Sequence, residues 1–124
     1  MVYLLDANVI IRFLVGDHEA HLLLARGYFA EIERGEREVE ILESVLMEVF
    51  FVMTKFYKLP KSSVIVDLKK IVALKGVLGD KVLLIETLGI VESRNIDFVD
   101  ALICAKAKLY GYGKLSFDAD VKKC

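Results

Sequence analysis

Several acidic residues stand where a carboxylate is difficult to place in a folded chain. Asp6 and Asp118 each directly follow a short segment of strand-like composition, and Asp100 lies three residues after Asp97. Glu48 lies inside an almost wholly apolar segment, so we expect it to be buried with its helix or to lie at the edge of the core. An ionised carboxylate away from water is costly unless a cation, a proton or a gap to solvent compensates it. These acids are therefore the first candidates for chemistry.

A cluster of such acids would need counter-charge. Two carboxylates about 4 Å apart repel by about 4 kcal/mol at an effective dielectric constant near 20. The sequence offers no obvious buried Lys or Arg, and His18 and His21 have no further ligand near them and are interpreted as exposed. Ligands that are all oxygen atoms select hard cations, which predicts Mg²⁺ or Mn²⁺ and not zinc. Such a cation would lower the pKa of a bound water, which is the way that metal-dependent hydrolases generate a nucleophile.

Other polar residues near these acids can be explained by local structure as well as by function. Asp97 alone is better explained as a helix N-cap than as a ligand. Asn8 could cap the first helix, or it could orient Asp6 or hold a water bound to the metal. Arg12 could contact a substrate phosphate or form a surface ion pair. Asp120 is interpreted as a turn residue.

The elements that must position these residues alternate between short apolar strands and helices. This pattern predicts a three-layer α/β/α domain around a parallel sheet of about four to five short strands. Ligands bind beyond the carboxyl ends of such strands, where Asp6 and Asp118 are expected. Strands are predicted at residues 2–5, 39–42 and 114–117, with a turn or strand at 76–79, and helices at 7–15, 18–34, from the N-cap Ser44 to about Tyr57, 60–74, 80–94 and 97–110.

Length and composition predict one soluble domain. The 124 residues fit a single domain, expected to span 1–124, and the net charge of -1 excludes binding of nucleic acid by overall positive charge. No run approaches the roughly 18 apolar residues of a membrane span. The apolar share of 56% favours oligomerisation. Cys104 and Cys124 do not form a disulfide framework, which favours the reducing cytoplasm.

Four segments in order resemble the motifs of PIN domains, and more narrowly those of VapC-type toxins. They read LLDANVI at 4–10, SVLMEV at 44–49, DFVDALI at 97–103 and LSFD at 115–118. The resemblance covers nearly the whole chain. It implies that the family's four metal-site acids correspond to Asp6, Glu48, Asp100 and Asp118, with Asp97 as a frequent fifth.

The resemblance also implies a function. We expect a PIN fold, divalent-metal-dependent endoribonuclease activity, a homodimer in the cytoplasm, and inhibition by a cognate antitoxin that blocks the site. Asn8, Arg12 and Ser116 are then the candidates for contact with the RNA substrate. Ser116 retains the hydroxyl that the family often places near the last acid, whereas Ala7 replaces it beside the first.

Two other functions fit the same residues. One is a PIN-fold binding module that has lost catalysis, although all four acids are present. The other is a structure-specific DNA nuclease of the flap-endonuclease type, which usually carries extra helices for branched DNA. Aspartyl-phosphate chemistry is disfavoured, because the segment Asp6-Ala7-Asn8 lacks the second acid of that pattern.

Overall fold

The chain divides into two compact units. The computed structural model describes all residues from Met1 to Cys124, and the first unit is Met1–Gly79 while the second is Asp80–Cys124. The first unit contains the whole sheet and four α-helices, and the second contains three α-helices. None of the helices is long and apolar enough to cross a membrane.

The sheet of the first unit has three parallel strands. They are β1 (Val2–Leu4), β2 (Glu38–Glu40) and β3 (Val77–Leu78), and they lie in the order β1-β2-β3. Parallel neighbours need a crossover connection, and a pair of α-helices provides it in both cases. The mixed α/β class and the parallel sheet are therefore confirmed. The strand count is three, fewer than the predicted four to five.

The strand predicted at residues 114–117 does not form. Leu115 and Phe117 are fully exposed, at 104% and 103%, so the alternating pattern has no sheet to face. The backbone N–H of Asp118 donates instead to the Ser116 hydroxyl at 2.9 Å. Such a local bond between a side chain and the backbone favours a turn over a strand. The missing strand accounts for part of the shortfall in the sheet.

Two helices connect β1 to β2. Helix α1 is Ala7–Val15 and ends at Gly16, which has a left-handed φ of 69°. Helix α2 is Glu19–Arg34, and His18 caps it because its Nδ1 atom accepts from the His21 N–H at 3.2 Å. The predicted limits of both helices are confirmed to within one residue.

Two further helices connect β2 to β3. Helix α3 is Glu43–Phe51, and it continues into a π-helical turn, Val52–Phe56. Its N-cap position is Leu42, so the prediction that Ser44 caps it is wrong. Helix α4 is Lys61–Val72.

The core of the first unit forms between these helices and the sheet. Its fully buried side chains come from every helix and from the central strand, which explains why short strands suffice to hold the unit together. The largest of them are Ile10, Ile32, Val39, Leu46, Met53, Ile65 and Leu68.

The second unit is helical. Helices α5 (Lys81–Arg94) and α6 (Phe98–Tyr110) pack on each other, and the short helix α7 (Ala119–Lys123) packs on α6. Asp80 caps α5 by accepting from the Leu83 N–H at 3.1 Å. A disulfide joins Cys104 of α6 to Cys124, with their Cα atoms 5.6 Å apart. The sequence analysis expected no disulfide framework from these two cysteines, so this bond corrects it.

Candidate functional site

Asp6 lies at the carboxyl end of β1, as its position in the sequence predicts. The N–H of the preceding Leu5 still pairs with the Glu40 carbonyl of β2 at 3.1 Å, and the chain then enters α1. Asp6 is the N-cap residue of α1, but its carboxylate makes no capping hydrogen bond. Its side chain is exposed. The carboxylate is therefore free to bind a ligand beyond the strand end.

Glu48 is exposed, so the first of its two expected positions, burial with its helix, is wrong. Helix α3 buries Leu46, Val49 and Phe50, which share one face. Glu48 lies off that face. Solvent therefore compensates its charge, without a protein cation or a bound proton. The carboxylate remains able to bind a ligand.

The second unit brings several acids together. Asp97 is the N-cap residue of α6 and makes no side-chain capping bond, and Asp100 lies in the first turn of the same helix. Asp118 is the N-cap residue of α7, where its Oδ1 atom accepts from the Asp120 N–H at 2.8 Å. Burial raises the pKa of Asp100, and the negative charges of Asp118, Asp97 and Asp120 raise it further. These carboxylates are thus close enough to repel one another.

None of the five candidate acids takes part in an ion pair. The chain's salt bridges join other residues: Arg12 to Asp17, Arg34 to Glu36, Arg37 to Glu31 and Lys108 to Glu86. Neither unit holds three His, Cys, Asp or Glu side chains already arranged around one metal position. The donors are nevertheless all carboxylates without a protein cation beside them, and that chemistry fits Mg²⁺ or Mn²⁺.

Arg12 forms the ion pair that was one of its two interpretations. Its Nη1 atom lies 3.1 Å from Oδ1 of Asp17, while the Tyr57 hydroxyl donates to Oδ2 of Asp17 at 2.9 Å. The hydrogen bond from Tyr57 lowers the pKa of Asp17, and Arg12 lowers it further. Asp17 and Tyr57 were missed by the sequence analysis, because 40 positions separate them and no local spacing relates them.

Asn8 and Arg12 also line a cleft between α1 and α2. The cleft has a volume of about 170 Å³, and α2 contributes His21, Leu24 and Tyr28 to its walls. Asn8 and Arg12 are four residues apart and share one face of α1. Both residues predicted to contact substrate on this helix therefore face the same open space. His21 stacks on His18, with ring centroids 3.9 Å apart, so these two act in the helix cap.

Comparison with known proteins gives one match. The model of the PIN domain family matches residues 3–124, which covers both units and all four acidic motifs. No curated protein and no solved structure matches the chain.

Proposed function

The chain belongs to the PIN domain family, whose members are generally nucleases, and from that premise we propose that it is a divalent-metal-dependent endoribonuclease. In this proposal Asp6, Glu48, Asp100 and Asp118 are the catalytic acids that hold Mg²⁺ or Mn²⁺. Asp97 is a further candidate ligand. The whole chain, 1–124, is proposed to act as one nuclease domain.

One observation carries the proposal furthest. Burial and the negative charges of Asp118, Asp97 and Asp120 raise the pKa of Asp100, and no Lys or Arg pairs with any of these four acids. Like charges repel, so several carboxylates near one helix end lower the stability of the fold when no cation lies between them. A divalent cation would remove this repulsion, and it is the ligand that such a donor set selects.

The cation would lower the pKa of the attacking water and neutralise charge that develops on the phosphoryl oxygens. The protein then needs no nucleophile of its own. Asp6, Asp100 and Asp118 are the proposed direct ligands, and Glu48 either ligates or orients a water. Ser116 supports this arrangement, because its hydroxyl accepts from the Asp118 N–H and so orients the backbone that carries Asp118.

The proposed RNA path runs along α1. Asn8 and Arg12 follow Asp6 on this helix and face the cleft between α1 and α2. The ion pair with Asp17 uses Nη1 of Arg12, which leaves other guanidinium N–H groups for a phosphate. In the proposed mechanism these side chains hold the RNA while Asp6, beyond the end of β1, and the other proposed acids would hold the cation at the phosphodiester.

The more specific role is that of a toxin in a toxin–antitoxin pair. Its support is the set of four motifs in their order along the chain, which is similar to that of VapC-type toxins. A cognate antitoxin is then the proposed partner, acting in the cytoplasm by blocking the acids. A homodimer is proposed as well, and the full exposure of Leu115 and Phe117 supports an apolar contact with a second subunit.

The test is cleavage of a mixed RNA, a matched single-stranded DNA and a branched DNA, each with Mg²⁺, with Mn²⁺ and with EDTA. The proposal predicts cleavage of RNA alone, stopped by EDTA. Cleavage of branched DNA alone would instead identify a structure-specific DNA nuclease. If no substrate is cleaved although calorimetry shows that Mn²⁺ binds, the chain is a binding module without catalytic activity.

A further inference from the structure

The disulfide of the second unit joins two elements that carry candidate metal ligands. Cys104 lies in the middle of α6 and is almost fully buried at 3% exposure, and Cys124 directly follows α7. Cys104 is four residues after Asp100, so the two share one face of α6. Asp118 begins α7 as its N-cap residue. The covalent bond therefore links the helix of one acid to the helix of another.

Little else holds α7 in place. It has five residues, far fewer than an isolated helix needs to be stable in water. Val121 is its one buried side chain. Lys114 adds a bond from its Nζ atom to the Cys124 carbonyl at 2.5 Å. Because these contacts are few, breaking the disulfide should let α7 fray from α6 and carry Asp118 away from Asp100.

The surroundings of the bond suit reversible thiol chemistry. Cys124 is partly exposed, so an external thiolate can reach its sulfur while Cys104 stays shielded. The Lys114 ammonium lies 3.6 Å from Sγ of Cys124, where it would stabilise a thiolate. Thiolates next to a cation are the reactive form in thiol–disulfide exchange.

We propose that Cys104–Cys124 is a reversible redox site that holds α7 on α6 when oxidised, so that the oxidised chain binds a divalent cation more tightly than the reduced chain. The inference rests on the proposed function, because it assigns Asp100 and Asp118 to the metal site. The co-reactant is a low-molecular-weight thiol and its disulfide.

Reduction takes two exchange steps. A first external thiolate attacks Sγ of Cys124, the bond between the two protein sulfurs breaks, and the Cys104 sulfur leaves as a thiolate that takes up a proton. A second external thiolate attacks the sulfur of the first, and the Cys124 sulfur leaves as a thiolate and is protonated. The two external thiols thereby become one disulfide, and two electrons pass to the protein. Oxidation by glutathione disulfide is the reverse.

The test compares the full chain after treatment with glutathione disulfide and after treatment with dithiothreitol that is then removed under anaerobic conditions. Alkylation and intact mass count the free thiols, and calorimetry measures Mn²⁺ affinity. We expect no free thiol in the oxidised chain, two in the reduced chain, and Mn²⁺ binding roughly tenfold tighter in the oxidised chain, a loss of the size seen when the support of a metal ligand is removed. Hydrogen exchange of the α7 amides should be slower in the oxidised chain.

Cys124→Ser is the control variant. It should bind Mn²⁺ as the reduced chain does, whatever the redox treatment. Two free thiols after oxidation, or equal Mn²⁺ affinity in the two states, would overturn this inference and leave the proposed function standing. No Mn²⁺ binding in either state would overturn the proposed function and this inference with it.

Discussion

Three of the candidate acids share one local position. Asp6, Asp97 and Asp118 are each the N-cap residue of a helix, with φ of -79°, -62° and -81° and extended ψ. A helix N-terminus favours a nearby negative charge, which offsets part of the cost of placing each carboxylate there. Asp118 uses its carboxylate to cap, whereas Asp6 and Asp97 leave theirs free. Local backbone geometry therefore places these acids and keeps two of them available to a ligand.

The Tyr57 hydroxyl provides a residue-scale prediction. Its hydrogen bond depresses the pKa of Asp17 below the usual 3.8, so the folded chain binds the Asp17 proton more weakly than the unfolded chain does. Stability from this contact is present above that value and is lost as the pH falls through the folded pKa. Tyr57→Phe should therefore be less stable than the wild type at pH 7, and the difference should shrink as the pH falls below 3.8.

Urea denaturation of both proteins across the pH range measures this difference. Tyr112→Phe is the matched control, because it removes the same hydroxyl from a tyrosine that is 61% exposed and donates no hydrogen bond to Asp17. A difference between wild type and Tyr57→Phe that stays constant with pH would contradict the assigned contact.

At the scale of elements, sequence patterns predicted most helices and fewer strands. Helix limits were predictable because Gly16, Gly35 and Gly111 end three helices in left-handed geometry, which glycine adopts most easily. The start of α3 was not predictable, because Leu42 occupies the N-cap position and makes no side-chain capping bond that a sequence pattern could indicate. The prediction of a strand at 114–117 was wrong because alternation of apolar and polar residues does not indicate whether a neighbouring strand exists to pair with it.

The candidate site was predictable in part. Strand ends and helix starts located Asp6 and Asp97 from local signals alone. The exposure of Glu48 was not predictable, because apolar neighbours on both sides in the sequence do not determine which face of a helix is exposed to solvent. The pairings of Asp17 with Tyr57 and of Cys104 with Cys124 depend on tertiary packing, which local spacing in the sequence does not reveal.

Gly76 provides a prediction at the scale of elements, because it joins α2 to the strand pair β2 and β3. Its N–H donates to the Ile32 carbonyl at 2.8 Å, and its carbonyl accepts from the Val39 N–H at 2.8 Å. A Cβ atom here would lie 2.7 Å from the Ile32 oxygen and would also clash with the Arg37 carbonyl. Gly76→Ala should therefore destabilise the chain by about 1–3 kcal/mol, the usual cost of overpacking.

Gly27→Ala is the matched control. Gly27 lies within α2 with open space around its Cβ position, so alanine should stabilise the helix by about 0.5–1 kcal/mol. Thermal denaturation of both variants measures the two effects. A Gly76→Ala variant as stable as Gly27→Ala would show that the close approach of α2 to the sheet is described wrongly.

At the scale of the whole molecule, composition points to self-association. A mean hydropathy of +0.49 is high, and twenty large apolar residues are exposed, among them Leu115 and Phe117 with no contact over their side chains. A net charge of -1 gives little repulsion between copies.

Equilibrium sedimentation should give twice the chain mass of 14.0 kDa. Leu115→Ser with Phe117→Ser should shift the mass toward the monomer, and a monomeric wild type would contradict the dimer.

The most direct test of the central claim is the rate of RNA cleavage by Asp6→Asn at saturating Mg²⁺, beside the wild type and Glu92→Gln, which changes an exposed acid outside the proposed site. Asp6→Asn keeps the shape of the side chain and removes the charge that would bind the cation. We predict that this variant loses cleavage while its melting temperature without metal is unchanged or higher, and that Glu92→Gln cleaves at close to the wild-type rate. An Asp6→Asn variant that is folded and cleaves RNA as fast as the wild type would contradict the assignment of Asp6 to a catalytic metal site.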